Sequence, residues 1–351
     1  MMHRLIKWVT RLGAALVLIV AGLLSPIAYV EIACSSDVGS DDYDAILPAQ
    51  YHRPESRTLL TYPEWHIVHA YDDYARVISK NDPHEFAYLS SIGGFWSSTC
   101  ALSTASGDHG GFPWATKQLV YTIGVSFTAE LLAKAAYEET LGRIAVLVRG
   151  DEHAPLDTLS ATQAAEYAVF LQQTPWYKWD FPSAAKSLSD SAGVSLRDSE
   201  RNFALGVENA VKASYARVIA AAVASVGQDE LTLRMIVWGV SETQLNSLKD
   251  VTVIGARPAG YEIETPRYRQ LTLLLAEMAR LGGEFVEIAG NDDILFTTLS
   301  EEPNEEHTIY SFARQGYGDW RNLNMVKVSQ LAESLRSLDG AKLRLEHVHD
   351  Y

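Results

Sequence analysis

Cysteine is scarce: the chain carries Cys34 and Cys100 and no others. That excludes a thiolate-rich zinc or iron–sulfur module and a CxxC redox site, which need more sulfur ligands or closer ones. Positive charge is also in short supply, with 29 Lys and Arg against 44 Asp and Glu for a formal net charge of −15. Three of the basic residues, Arg4, Lys7 and Arg11, precede the first apolar run, so the remainder sets 26 basic residues against all 44 acidic ones. Such a surface repels phosphate backbones and anionic head groups, and nucleic acid is not an expected partner. The common catalytic signatures are missing: there is no GxGxxG, Walker A, HExxH or GxSxG pattern. Ser183 to Lys186 fits SxxK, but without a KTG partner the match is ascribed to chance. No repeat of fixed period is visible, so a solenoid is not expected. Apolar residues are not lacking: at 47% of 351 residues they are enough for real cores, and the length suits about two domains.

Long charge-free runs are absent with one exception. Leu12 to Val30 holds 19 uncharged residues, which as a helix span about 28 Å, enough for one membrane crossing. Basic residues stand before it, and Glu31, Asp37, Asp41, Asp42 and Asp44 after it. The positive-inside rule then puts residues 1–11 in the cytoplasm and the main domain on the outer, periplasmic side of a bacterial inner membrane. A cleaved secretory signal is the alternative, with Ala33 and Ser35 as a small-x-small cut; a retained single-pass anchor over 12–30 is favoured. Leu119 to Ala136 is interrupted by Glu130 and Lys134 and is not counted as a second span. On the oxidising side Cys34 and Cys100 are expected to pair, closing a loop of about 67 residues worth roughly 4 kcal/mol.

After a polar spacer over 31–57, residues 58–227 read as a helical bundle, with helices near 62–80, 84–103, 113–149, 160–173 and 197–226. Pro63 and Pro113 stand at starts, Gly150 and Gly227 at stops. Ile67, Ala70, Tyr71, Tyr74, Val77 and Ile78 form one apolar arc, and Phe203, Val207, Val211, Tyr215, Val218 and Ala222 another, each expected to be buried. Glu130, Lys134 and Glu138 at spacing four suit a solvated helix face. Residues 228–351 turn to short strands around two helices. LTLRMIVWG, VTVIG, HTIYSFA and KLRLEHV are strands, EFVEIA and DILFTTL a hairpin about Gly290 to Asp292, and Pro266 to Leu281 and Ser329 to Leu338 helices. The expected fold class is α+β, with a ferredoxin-like arrangement in the C-terminal domain.

Four groups of residues bear on chemistry. His66, His69 and Asp73 share a stripe of one helix and are candidate metal ligands, weighed against a solvated flank. His347 and His349 lie on one face of the last strand, where core histidines are the commoner reading. His109 in the loop SGDHGG could meet a ligand beside paired glycines. Trp176, Tyr177, Trp179 and Phe181 form either a contact surface or a lid over the bundle core. No cofactor is indicated.

TYPEW at 61–65, GFWSS at 94–98, VEIAGN at 286–291 and EHVHDY at 346–351 resemble landmarks of an uncharacterised group of bacterial single-pass membrane-anchored proteins. The resemblance runs along most of the chain. It implies the anchored topology and transfers no catalytic residue. The expected function is a non-enzymatic accessory or binding protein of the cell envelope, with the membrane and an envelope protein as partners. The alternative is a metal-dependent envelope enzyme that uses His66, His69 and Asp73 with a carboxylate such as Glu130.

Overall fold

The computed structural model describes every residue except 1, 35, 40–42, 151, 227–230, 305–307 and 339. Ser35, Asp41, Asp42, Gly227 and His307, which entered the expectations above, lie outside it.

The apolar run is one helix, α1 (Met2–Ala33). Leu12, Leu16, Val17, Leu18 and Ile19 are exposed along it, as a lipid-facing surface requires, whereas Val30 and Cys34 at its end are buried in the bundle. Cys34 is bonded to Cys100, with the two Cα atoms 5.2 Å apart. Lys117 and Tyr121 bind Glu31 at 2.8 and 2.6 Å.

The bundle comprises α2 (Ser56–Ile78), α3 (Tyr88–Ala105), α4 (Trp114–Tyr137), α5 (Arg143–Arg149), α6 (Pro155–Leu171), α7 (Phe181–Ser191) and α8 (Leu196–Val226). A π-helical turn over Glu138–Gly142 joins α4 to α5. Three expectations are corrected. Pro63 does not open its helix: α2 begins at Ser56, and its packing offsets the hydrogen bond that a proline inside a helix forfeits. The segment 31–57 is no free spacer, because Tyr43 Oη and the amides of Ile46 and Leu47 all donate to buried Glu287 at 2.5–2.8 Å. And α8 is oriented opposite to its apolar arc. Phe203, Val211 and Val218 are 68%, 64% and 64% exposed, while Arg197 and Arg201 are 2% and 1% exposed.

The cause of that inversion is charge matching. Along α8, Arg197, Arg201, Glu208 and Lys212 form one stripe. Arg197 meets Asp157 at 2.9 Å, Arg201 meets Glu138 at 2.8 Å, Glu208 meets Lys134 at 2.9 Å and Lys212 meets Glu130 at 2.9 Å. The acidic and basic residues of α4 therefore face inward, not into solvent. Burying half of such a set alone would leave uncompensated charge, which costs more than exposing valines.

The C-terminal part holds two four-stranded antiparallel sheets. The first contains β1 (Thr232–Trp238), β2 (Thr252–Arg257), β3 (Gly260–Pro266) and β4 (Glu284–Ile288), ordered β2-β3-β1-β4, with α9 (Glu242–Ser247) and α10 (Arg269–Arg280) as connections. This is the βαββαβ arrangement of a ferredoxin-like unit. The second contains β5 (Asp293–Ser300), β6 (Tyr310–Ala313), β7 (Trp320–Lys327) and β8 (Arg344–His349), ordered β6-β7-β5-β8, with α11 (Val328–Ser337) before β8. The strand order is the same pattern repeated, with no helix among the described residues between β5 and β6. β4 and β5 are thus not a hairpin but the end of one sheet and the start of the next. The intervening turn puts Ala289 and Gly290 at φ 51° and 81°.

The two units share one core. Met235, Ile263 and Phe285 of the first join Leu271 and Leu275 of α10, Leu331 of α11, and Phe296 and Val348 of the second. The opposite face of the second sheet carries Leu295, Leu323 and Met325 onto Leu59, Tyr62 and Trp65 of α2. Strand β5 is consequently buried on both sides.

Candidate functional site

Where α2 crosses the second sheet, apolar packing gives way to polar residues. Thr58, Tyr62, Trp65, His69 and Asp73, at spacings of four, three, four and four, line one face of α2. Thr58 fixes the register: its hydroxyl donates to His349 O at 2.7 Å and accepts from Leu295 N at 3.0 Å. Thr61 donates to Asp350 O at 2.9 Å. Trp65 stacks on His347 with ring centroids 3.5 Å apart, and Tyr62 sits edge-on to His349 at 5.4 Å. On the sheet, fully buried Arg321 binds Glu346 through Nε at 2.5 Å and Nη2 at 2.7 Å, a two-pronged pair.

The hydrogen bonds determine one tautomer. Thr272 Oγ1 accepts from Val348 N at 2.9 Å and lies 2.9 Å from His347 Nδ1, which it holds in place beside Trp65. His66 Nε2 lies 3.0 Å from Ser91 O and must be the protonated nitrogen, since a carbonyl only accepts. Phe95, Phe127 and Phe312 pack around that ring. Gly94 leaves it room, since a Cβ there would lie 3.0 Å from His66 Cε1.

Burial sets the protonation states. It lowers His66 and His349 to about 3 and holds His69 and His347 well below the ordinary imidazole value. The same desolvation raises Asp73 to about 7, against the opposing pull of Arg321 and the amide of Gln315, which donates to it at 3.1 Å. All four imidazoles are therefore neutral at neutral pH.

The structure does not bring His66, His69 and Asp73 to one point. His66 turns to α3, His69 Nε2 is 3.6 Å from Glu346 Oε2, and Asp73 faces Gln315 and Arg314. None is a solvated flank, because all three are buried. Glu130, the proposed fourth ligand, is taken by Tyr71 Oη at 2.8 Å and by Lys212. Three of the four sequence landmarks do converge, since TYPEW, GFWSS and EHVHDY meet around Tyr62 and His66 to His349. Arg321 and Glu346 complete this centre; Glu346 opens EHVHDY, whereas Arg321, 25 positions earlier on another strand, lies in no local pattern that would single it out.

A second polar group lies one end of α2 away. Glu55, immediately before α2, has Oε2 3.4 Å from His109 Nδ1, which is 3.5 Å from Asp293 Oδ2 at the start of β5. Among the described residues, this is the group of three metal-ligating side chains whose ligand atoms all lie within 4.8 Å of one another. Glu55 Oε1 accepts from the amides of Asp293 and Asp292 at 2.9 and 3.3 Å, and Lys327 Nζ contacts Asp293 Oδ2 at 2.7 Å. The Glu55 hydrogen bond raises the His109 pKa above its ordinary value. Sequence reading singled out His109 but neither carboxylate.

Trp179 and Phe181 turn inward, Trp179 against Tyr167 and Phe170 at 5.2 and 5.1 Å. Trp176 and Tyr177 join the same cluster. Beneath it, a cavity of about 70 Å³ is lined by Tyr71, Lys134, Tyr167, Glu208 and Lys212, too small for any organic ligand of the usual 300–1,000 Å³ sites.

Neither a protein-family model, a curated protein nor a solved structure matches this chain.

Proposed function

We propose that the chain is a single-pass, membrane-anchored accessory protein of the cell envelope, with its main domain outside the cytoplasm, and that it acts by binding another envelope protein. The observation that carries this reading is the inverted helix α8. Phe203, Val207, Val211 and Val218 face outward on α8, with Leu141, Ile144, Leu147 and Val148 also exposed on the π turn and α5, which packs against it. Clusters of exposed apolar side chains on two neighbouring elements favour an interaction site.

The anchor supports the same reading. The last turn of α1 is part of the bundle core, and the Cys34–Cys100 bond ties it to α3, so removal of α1 by cleavage would uncover buried surface. Disulfide pairing fits an oxidising compartment. The enzyme alternative loses its first motivation, since its proposed ligands point apart.

A photo-crosslinking residue at Val211 of the full-length chain, in native membranes, tests the proposal. A discrete protein adduct at Val211 that is missing for the same probe at exposed Glu242 is the expected result. Adducts to lipid alone would sink the accessory reading.

A further inference from the structure

We propose that Glu55, His109 and Asp293 form a binding site for one divalent transition-metal ion of the zinc type. The argument starts from distances. In a tetrahedral site with bonds of about 2.0–2.1 Å, neighbouring ligand atoms are separated by about 1.6 bond lengths, or roughly 3.3–3.5 Å. The separations of His109 Nδ1 from Glu55 Oε2 and Asp293 Oδ2 are 3.4 and 3.5 Å. Two edges of the polyhedron are therefore already formed by a nitrogen and two carboxylate oxygens, the donor set that suits zinc, manganese or ferrous iron in preference to calcium or magnesium.

The surroundings are those of a built site. Glu55 is buried, and its Oε1 is held by two backbone amides, which leaves Oε2 directed at His109. Asp293 is positioned through its own carbonyl, which accepts from the buried Tyr351 hydroxyl. His109 is set by the turn that follows it, where Gly110 has φ 81° and the Gly111 amide bonds Ser106 O at 2.8 Å. Such outer contacts orient metal ligands and tune their affinity. The His109 side chain is 17% exposed, so a fourth position opens to solvent, where water can complete the shell.

Lys327 is the competing cation. Its ammonium contacts Asp293 Oδ2 at 2.7 Å and Asp292 Oδ2 at 2.9 Å, so it can release Asp293 and keep a partner. The three ligands come from the segment before α2, from the loop after α3 and from β5. A bound ion would thus tie the bundle to the second sheet.

The test uses the full-length protein in detergent, stripped with a chelator and titrated with Zn²⁺ alone by calorimetry, with elemental analysis after dialysis. One Zn²⁺ per chain is expected, weakened about tenfold or more by His109→Ala or Asp293→Asn and unchanged by His153→Ala, an exposed control. Ligand variants also remove contacts between bundle and sheet, so Lys327→Met supplies a test by gain: removing the competing ammonium should tighten Zn²⁺ binding several-fold. Failure of the folded wild-type chain to bind stoichiometric Zn²⁺, or identical affinity in folded His109→Ala, would overturn the proposal and leave the three residues as an ion-paired clamp.

Discussion

At the residue scale, the four neutral histidines make the fold acid-sensitive. An imidazole with a folded pKa near 3 and an unfolded value near 6.5 is uncharged in both states above about pH 6.5; below that, only the unfolded chain takes up its proton. Stability is then lost as pH falls from about 6.5 towards about 3, by about 1.4 kcal/mol per pH unit for each such group. Asp73 acts in the opposite sense, because its folded pKa of about 7 means that the folded state holds the extra proton between about pH 4 and 7. The raised pKa of His109 acts in the same sense as Asp73, and four groups outweigh these two, so urea midpoints of the full-length protein should fall between about pH 7 and pH 5, and His349→Phe should flatten that slope by about one proton's worth. An unchanged slope would mean that His349 titrates normally. Glycine packing gives a second expectation. A Cβ at Gly124 would lie 2.4 Å from the Phe95 ring, so Gly124→Ala should cost about 1–3 kcal/mol in a chemical melt.

At the element scale, α8 separates the role of charge from that of apolarity. Val211→Lys alters only the outward face and should leave the melting midpoint within about 0.5 kcal/mol of wild type. Arg201→Met leaves Glu138 without its buried partner, although Glu200 keeps Arg197, and should cost about 3–5 kcal/mol by the same measurement. Equal losses from both would indicate that the apolar arc is buried after all. The arc and the charged stripe are both legible as 3.6-residue patterns. Which of them faces the core was not, because the answer depends on Asp157, Glu138, Lys134 and Glu130 on other helices. The strands show the same division. The β-rich runs EFVEI and DILFTTL identified β4 and β5, but the turn between them gave no sign that they join different sheets.

At the scale of the whole molecule, the disulfide connects the end of the N-terminal apolar helix to the bundle. Comparing full-length protein with and without reductant, the oxidised form should be more stable by roughly 4 kcal/mol, as expected from closing a loop of 66 positions. Equal stability would mean that the bundle holds α1 without it. The C-terminal half is a tandem of two units with one strand order, and no fixed-period repeat in the sequence announced it. Strand pairing is an interaction between backbones, so two units can share a topology while sharing few side chains.

The sequence by itself determined the charge-free helix, the single pair of cysteines, the acidic surface and the existence and type of most elements. Each follows from composition or from a period within one segment, where the cause and its effect lie a few residues apart. The tertiary structure decided the rest: the inward charges of α8, the neutral histidines between α2 and β8, and the approach of Glu55, His109 and Asp293. Those depend on desolvation and on partners 25 to 291 positions away, which no local pattern encodes.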